Sequence, residues 1–94
     1  MNLAEAVGTL TLLGDESRLR LCALLWDREL RVTDLVRVTG LSQSRVSTHL
    51  ARLREAGFVR DRRDGQQSFY ALAKATMPSA AQALLDATVG SDDP

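Results

Sequence analysis

Six arginines fall between Leu41 and Arg63, at positions 45, 52, 54, 60, 62 and 63, against two acids, Glu55 and Asp61. Interleaved with them are Gln43, Ser44, Ser47, Thr48 and His49, and just beyond lie Gln66, Gln67 and Ser68. Arginine presents a planar fork of N–H donors that suits phosphate oxygens and base edges, while Ser, Thr and Gln supply short neutral donors and acceptors. Set densely along one stretch, these residue types can grip a polyanion and read polar edges on it. Residues 41–63 carry +4, and the rest of the chain, with six basic and ten acidic residues, carries −4. The formal net charge of zero therefore hides a segregated distribution. A local basic patch is what counterion release from a polyanion requires.

The elements that must position these residues follow from spacing. Ser42 is a good N-cap, and Val46, Leu50 and Leu53 at i, i+4 and i+7 form one apolar helical stripe that Gly57 ends. The opposite face then holds Ser44, Thr48, Ala51 and Glu55, with Arg45 and Arg52 on one flank and Ser47 on the other. Short side chains there let a helix sink into a groove. Upstream, Thr33 is expected to cap a short helix over 34–39, with Gly40 supplying a left-handed turn. Downstream, residues 58–63 and 66–72 read as strands flanking Asp64-Gly65, a two-residue loop of type I′. An edge hairpin charged against aggregation explains one arginine better than the three on its arm. Helix, glycine turn, polar-faced helix and hairpin make a winged helix-turn-helix, with the helix-turn-helix at 33–56 and the wing at 58–72. Its surface chemistry suits duplex DNA.

The expected fold is mostly α with a small β-hairpin, in a single domain over 1–94. Residues 2–13 carry Leu3, Val7, Leu10 and Leu13 at helical spacing, and Gly14 ends the run. Asp15 caps a second helix to about Trp26, apolar nearly all round, as a central buried helix should be. Its Arg18 and Arg20 either reach phosphate or snorkel over the surface. Residues 30–32 form a short strand beside the wing, and Pro78 opens a last helix over 78–89. Residues 90–94 read as a tail or linker. The two terminal helices have apolar stripes with no home in a minimal three-helix core. Leu3, Val7, Leu10, Ala81, Leu84 and Leu85 are therefore expected at a dimer interface, the alternative being that both helices fold back on their own core. No apolar run has membrane-spanning length, and the single cysteine, Cys22, fits a reducing compartment, so a cytoplasmic location is expected. Cys22 lies within an apolar helix and reads as a core residue. No Gly-rich phosphate loop, paired catalytic carboxylates or nucleophile elbow is present, so no catalytic residue and no enzyme activity are expected.

The runs GDESRLRLCALL, ELRVTDL, LSQSRVSTHLARLREAGFV and RRDGQQSFYAL together resemble the ArsR/SmtB family of small bacterial repressors. The likeness covers residues 12–72 almost without a gap. One departure is Ser44, where many members have proline after Ser-Gln. The resemblance implies a dimer whose terminal helices pair across a two-fold axis and which blocks transcription until a signal releases it. It also implies a metal signal in many members, bound by a Cys-x-Cys pair. Here Arg31 and Thr33 occupy both cysteine positions, and residues 77–94 lack the histidines of the family's second site. Neither a metal nor any other cofactor is expected. Gln43, Ser44, Ser47 and Thr48 are the candidates for base readout. Arg45, His49, Arg52, Arg60, Arg62 and Arg63 are candidates for phosphate or minor groove, with Gln66 and Gln67 beside them on the wing. The partners expected are double-stranded DNA, a second copy of the chain and an unidentified small-molecule or protein effector, with no membrane. Two other readings stand beside this one. The chain is the DNA-binding regulatory domain of a longer polypeptide, such as a methyltransferase fusion, or it is a winged-helix protein-interaction module.

Overall fold

Leucine fills the centre of this protein. Leu21, Leu25, Leu35, Leu50, Leu53 and Leu85 are essentially solvent-free, joined by Val46, Cys22, Phe58 and Val59. Each such side chain contributes about 1.5–3 kcal/mol by leaving water. The computed structural model describes residues 2–91. The elements are α1 (Leu3–Leu13), α2 (Glu16–Leu24), β1 (Leu30–Arg31), α3 (Val32–Thr39), α4 (Gln43–Glu55), β2 (Val59–Asp64), β3 (Gln67–Leu72) and α5 (Ser79–Ser91). The strands form one antiparallel sheet in the order β1-β3-β2.

The helix ends are fixed by side chains. Asn2 Oδ1 accepts the Glu5 N–H at 2.8 Å to open α1, and the Gly14 N–H closes it on the Leu10 carbonyl at 2.8 Å. A Cβ on Gly14 would stand 2.6 Å from that oxygen, so only glycine permits so tight an exit. Asp15 caps α2 by accepting the Arg18 N–H at 3.0 Å, which holds its carboxyl below the usual range. Arg18 does neither of the things expected of it. It is buried, and its Nε and Nη2 donate to the carbonyls of Leu12 (2.7 Å) and Thr11 (3.2 Å). It thus satisfies the orphaned C-terminal carbonyls of α1 and welds α1 to α2.

Several boundaries differ from the sequence expectation. α2 ends at Leu24, where i→i+3 bonds tighten the chain and turn Trp26 out to lie under Lys74. α3 begins at Val32 and Thr33 is not its cap. Asp34 instead reaches back to the Arg31 N–H at 2.9 Å and grips the Arg31 guanidinium at 3.0 and 3.1 Å. The wing turns on Gly65-Gln66, because Asp64 pairs with Gln67 in the ladder. Gly65 has φ +65° and among the described residues no non-glycine residue has positive φ, which excludes type I′ and matches a type II′ turn with glycine first. Pro78 precedes α5, accepting the Gln82 N–H through its carbonyl. The last helix runs to Ser91, so Gly90 and Ser91 belong to it and not to a tail, while residues 92–94 lie outside the described residues.

The terminal helices divide the expected interface residues in two. Leu3, Val7, Leu10 and Leu84 are exposed at 80%, 52%, 65% and 38%. Ala81 and Leu85 are fully buried in the chain's own core, and their assignment to a dimer interface is corrected on that ground.

Candidate nucleic-acid interface

The turn between α3 and α4 is built by three residues. Gly40, at φ +75°, lets the chain leave α3 in the left-handed region that its missing Cβ allows. The Thr39 hydroxyl donates to the Leu35 carbonyl at 2.7 Å and accepts the Leu41 N–H at 3.2 Å. Ser42 Oγ then accepts the Arg45 N–H at 3.2 Å and starts α4. Val46, Leu50 and Leu53 are all fully buried, so helical geometry turns Ser44, Arg45, Ser47, Thr48, Ala51, Arg52 and Glu55 outward, and all are exposed. The Thr48 hydroxyl donates to the Ser44 carbonyl at 2.8 Å and keeps lone pairs free to accept. Among the described residues neither Arg45 nor Arg52 has a carboxylate partner. Their charge is therefore available.

His49 lies half-buried on the flank of α4 and lines a recess of about 250 Å³ with Ser44, Arg45 and Thr48. Its Nδ1 is buried and makes no hydrogen bond among the described residues. The ring thus covers the core with one edge and joins the polar face with the other.

The wing sorts its arginines by strand alternation. Val59, Asp61 and Arg63 share one face of β2 with Leu72, Tyr70 and Ser68 of β3 opposite them. Asp61 reaches α4 from this face through Arg54 at 3.3 Å. Arg60 and Arg62 point the other way, opposite Ala71 and Phe69. There both meet Glu29, Arg62 at 2.8 Å and Arg60 at 3.8 Å. Among the described residues Arg63 has only a long contact from its Nε to the Gly65 carbonyl, 3.4 Å.

Between wing and helices runs a cleft of about 240 Å³ that Gln43 enters from α4 and Gln66, Gln67 and Ser68 from the wing tip. Its floor is Arg31, Val32 and Thr33. The structure therefore gathers Gln43, Gln66 and Gln67 into one polar opening, and gathers Ser44, Arg45, Thr48 and His49 into the adjoining recess. It sets Arg60 and Arg62 apart from both. Sequence reasoning missed Glu29, Arg31 and Thr33 as members of this surface. The short strand at 30–32 was the available signal, since pairing Leu30 and Arg31 with β3 brings Glu29 and Thr33, which flank it in sequence, beside the wing.

Cys22 is fully buried and desolvation pushes its thiol up to about 12, so the nucleophilic thiolate is not formed. Among the described residues no group of three or more His, Cys, Asp or Glu could hold a metal ion, and no helix is long and apolar enough to cross a membrane.

A family model described as "Bacterial regulatory protein, arsR family" matches residues 15–61. The chain is 44% identical over 71 residues to the transcriptional activator HlyU of Vibrio cholerae, covering 76% of this chain and 66% of that protein. It is 46% identical over 61 residues to the arsenic resistance transcriptional regulator ArsR1 of Pseudomonas putida, covering 64% and 48% of the two. The chain thus spans about half to two thirds of the length of these curated relatives. The solved structure of reduced HlyU from Vibrio cholerae superposes with a TM-score of 0.84 at 34% identity, over 97% of this chain and 92% of that one. The transcriptional repressor BigR from Xylella fastidiosa follows at TM-score 0.78 and 35% identity, over 95% and 84%. The fold is that of the winged helix-turn-helix regulators, and the relatives are transcription regulators, not enzymes. The chain belongs to the arsR family of bacterial regulatory proteins.

Proposed function

We propose that this chain, a single winged helix-turn-helix domain over 1–94 located in the cytoplasm, binds duplex DNA as a homodimer and represses transcription from an inverted-repeat operator. The observation that carries this reading is the outer face of α4, where Arg45 and Arg52, without a carboxylate partner among the described residues, flank Ser44, Ser47 and Thr48. In this reading α4 enters the major groove, where Gln43, Ser44, Ser47 and Thr48 meet base edges. Arg45, Arg52 and His49 lie toward phosphates, and the wing tip with Gln66 and Gln67 follows the backbone to the adjacent groove. The apolar stripe of α1 pairs two chains and sets the half-sites about one helical turn apart. The family resemblance implies a Cys-x-Cys metal site at the positions that Arg31 and Thr33 fill here, and neither side chain is a metal ligand of that kind, so this reading takes a signal other than a metal.

Selection from a random duplex pool, followed by titration of the winners against salt, tests the reading. An enriched inverted repeat with a steep salt slope is the expected result, and adding the protein to a template carrying it should lower transcript yield. Salt-sensitive binding with no enriched sequence would replace the repressor with an architectural role or a part of a larger regulator. Absence of binding at low salt would favour a protein-interaction module.

A further inference from the structure

Glu29 lies in the turn that leads into β1, far in sequence from the wing, yet its carboxylate meets two wing arginines. It accepts Arg62 Nε at 3.2 Å and Arg62 Nη2 at 2.8 Å, and stands 3.8 Å from Arg60 Nη1. The register accounts for the meeting: β3 lies between β1 and β2, with Arg31 opposite Phe69 on one side and Arg62 opposite it on the other, so Glu29, just before β1, meets Arg62 and Arg60 across β3. The Arg62 guanidinium also sits 4.8 Å over the Phe69 ring. A two-point fork and an aromatic face together fix a guanidinium in direction as well as in place. Arg63 differs on every count. It occupies the opposite face of β2, the face that contacts α4 through Asp61 and Arg54, and among the described residues it has no carboxylate partner.

We propose that Glu29 is the positioning residue of the wing: it holds Arg62, and draws Arg60 with it, against the sheet, so that Arg63 makes the wing's phosphate contact. The proposal rests on the DNA-binding reading above and divides labour within it. Three arginines that look alike in the sequence have two jobs. Two complete a clasp between the start of β1 and the hairpin, and one remains free on the side of the recognition helix.

The salt dependence of binding to a short fluorescein-labelled duplex separates these jobs, because each phosphate contact adds about 0.9 to the slope of log K against log salt. Arg63→Gln should flatten the slope by about 0.9 per protomer, while Arg62→Gln should leave it at the wild-type value. Glu29→Gln should steepen it by about the same amount as Arg62 is released, and adding Arg62→Gln to Glu29→Gln should restore the wild-type slope. A slope flattened as much by Arg62→Gln as by Arg63→Gln overturns the proposal. So does a Glu29→Gln protein, folded by circular dichroism, whose slope is unchanged. The two arginine variants decide the matter even where Glu29→Gln melts. Wild-type protein without salt-dependent binding would instead remove the DNA-binding reading itself.

Discussion

At the scale of single residues, position in the sheet and at helix ends changes what a charge is for. The Arg18, Arg31 and Arg62 side chains are each bound to groups of their own chain, whereas among the described residues the Arg45 and Arg52 guanidinium groups have no carboxylate partner. The sequence distinguishes these classes poorly, because a partner at a separation of 33 residues, as Glu29 is for Arg62, leaves no local pattern. Helix spacing did mark Arg45 and Arg52 as outward, since the buried stripe of Val46, Leu50 and Leu53 fixes the face they occupy. Asp34 offers a measurable case of a charge used internally. Hydrogen bonds from the Arg31 side chain and from its backbone N–H lower its carboxyl from 3.8 to about 2. A depressed folded-state value means that the ionised carboxylate stabilises the native state above the unfolded value, and that this contribution is lost as pH falls through the folded one. Wild-type protein should therefore be more stable than Asp34→Asn at neutral pH, with the gap closing between about pH 4 and pH 2. Thermal melts of both proteins across that range measure it, and a gap that persists undiminished at the acid end would show that the Asp34 charge is not what holds the start of α3.

At the scale of elements, α4 was the most legible part of the chain and the wing turn the least. The helix announces itself through a cap, a stripe and a terminating glycine that all agree, and its observed span begins and ends where they place it. The turn was misplaced by one residue because Asp-Gly and Gly-Gln are both acceptable tips. Only the pairing of Val59 with Leu72, two buried residues that must face the core together, decides between them. The Ser42 cap can be tested directly. Its hydroxyl accepts the Arg45 N–H, and Ser42→Ala leaves that donor without a partner in the chain. The loss should be about 1 kcal/mol of stability, seen as a lower urea midpoint with an unchanged m-value. DNA affinity should fall as well, because the same turn of helix carries Gln43 and Ser44. An unchanged midpoint would mean that water replaces the cap at no cost.

At the scale of the molecule, the remaining question is what covers α1. Leu13 and Thr9 face the protein's own core, while Leu3, Val7 and Leu10 lie exposed on the outer side of the helix. Leu84 of the adjoining α5 is also exposed, although Ala81, one turn before it, and Leu85, the next residue, are sealed inside. The sequence showed that both terminal helices carry apolar stripes but not how far each stripe wraps. Period alone cannot separate a face turned to the chain's own core from one turned to a second chain. A row of exposed leucine and valine on a small domain is costly in water and marks a surface that binds another. If that other is a second copy, Leu10→Glu should yield a folded monomer, since Leu10 contributes nothing to the intact core, and sedimentation equilibrium should show half the wild-type mass. The monomer should bind a single half-site as the wild type does. It should lose roughly 100-fold or more on the full inverted repeat, where the second contact is made at high effective concentration only when the two helices are joined. A wild-type chain that sediments as a monomer at every concentration would assign the stripe to a different partner and remove the basis for a two-fold operator.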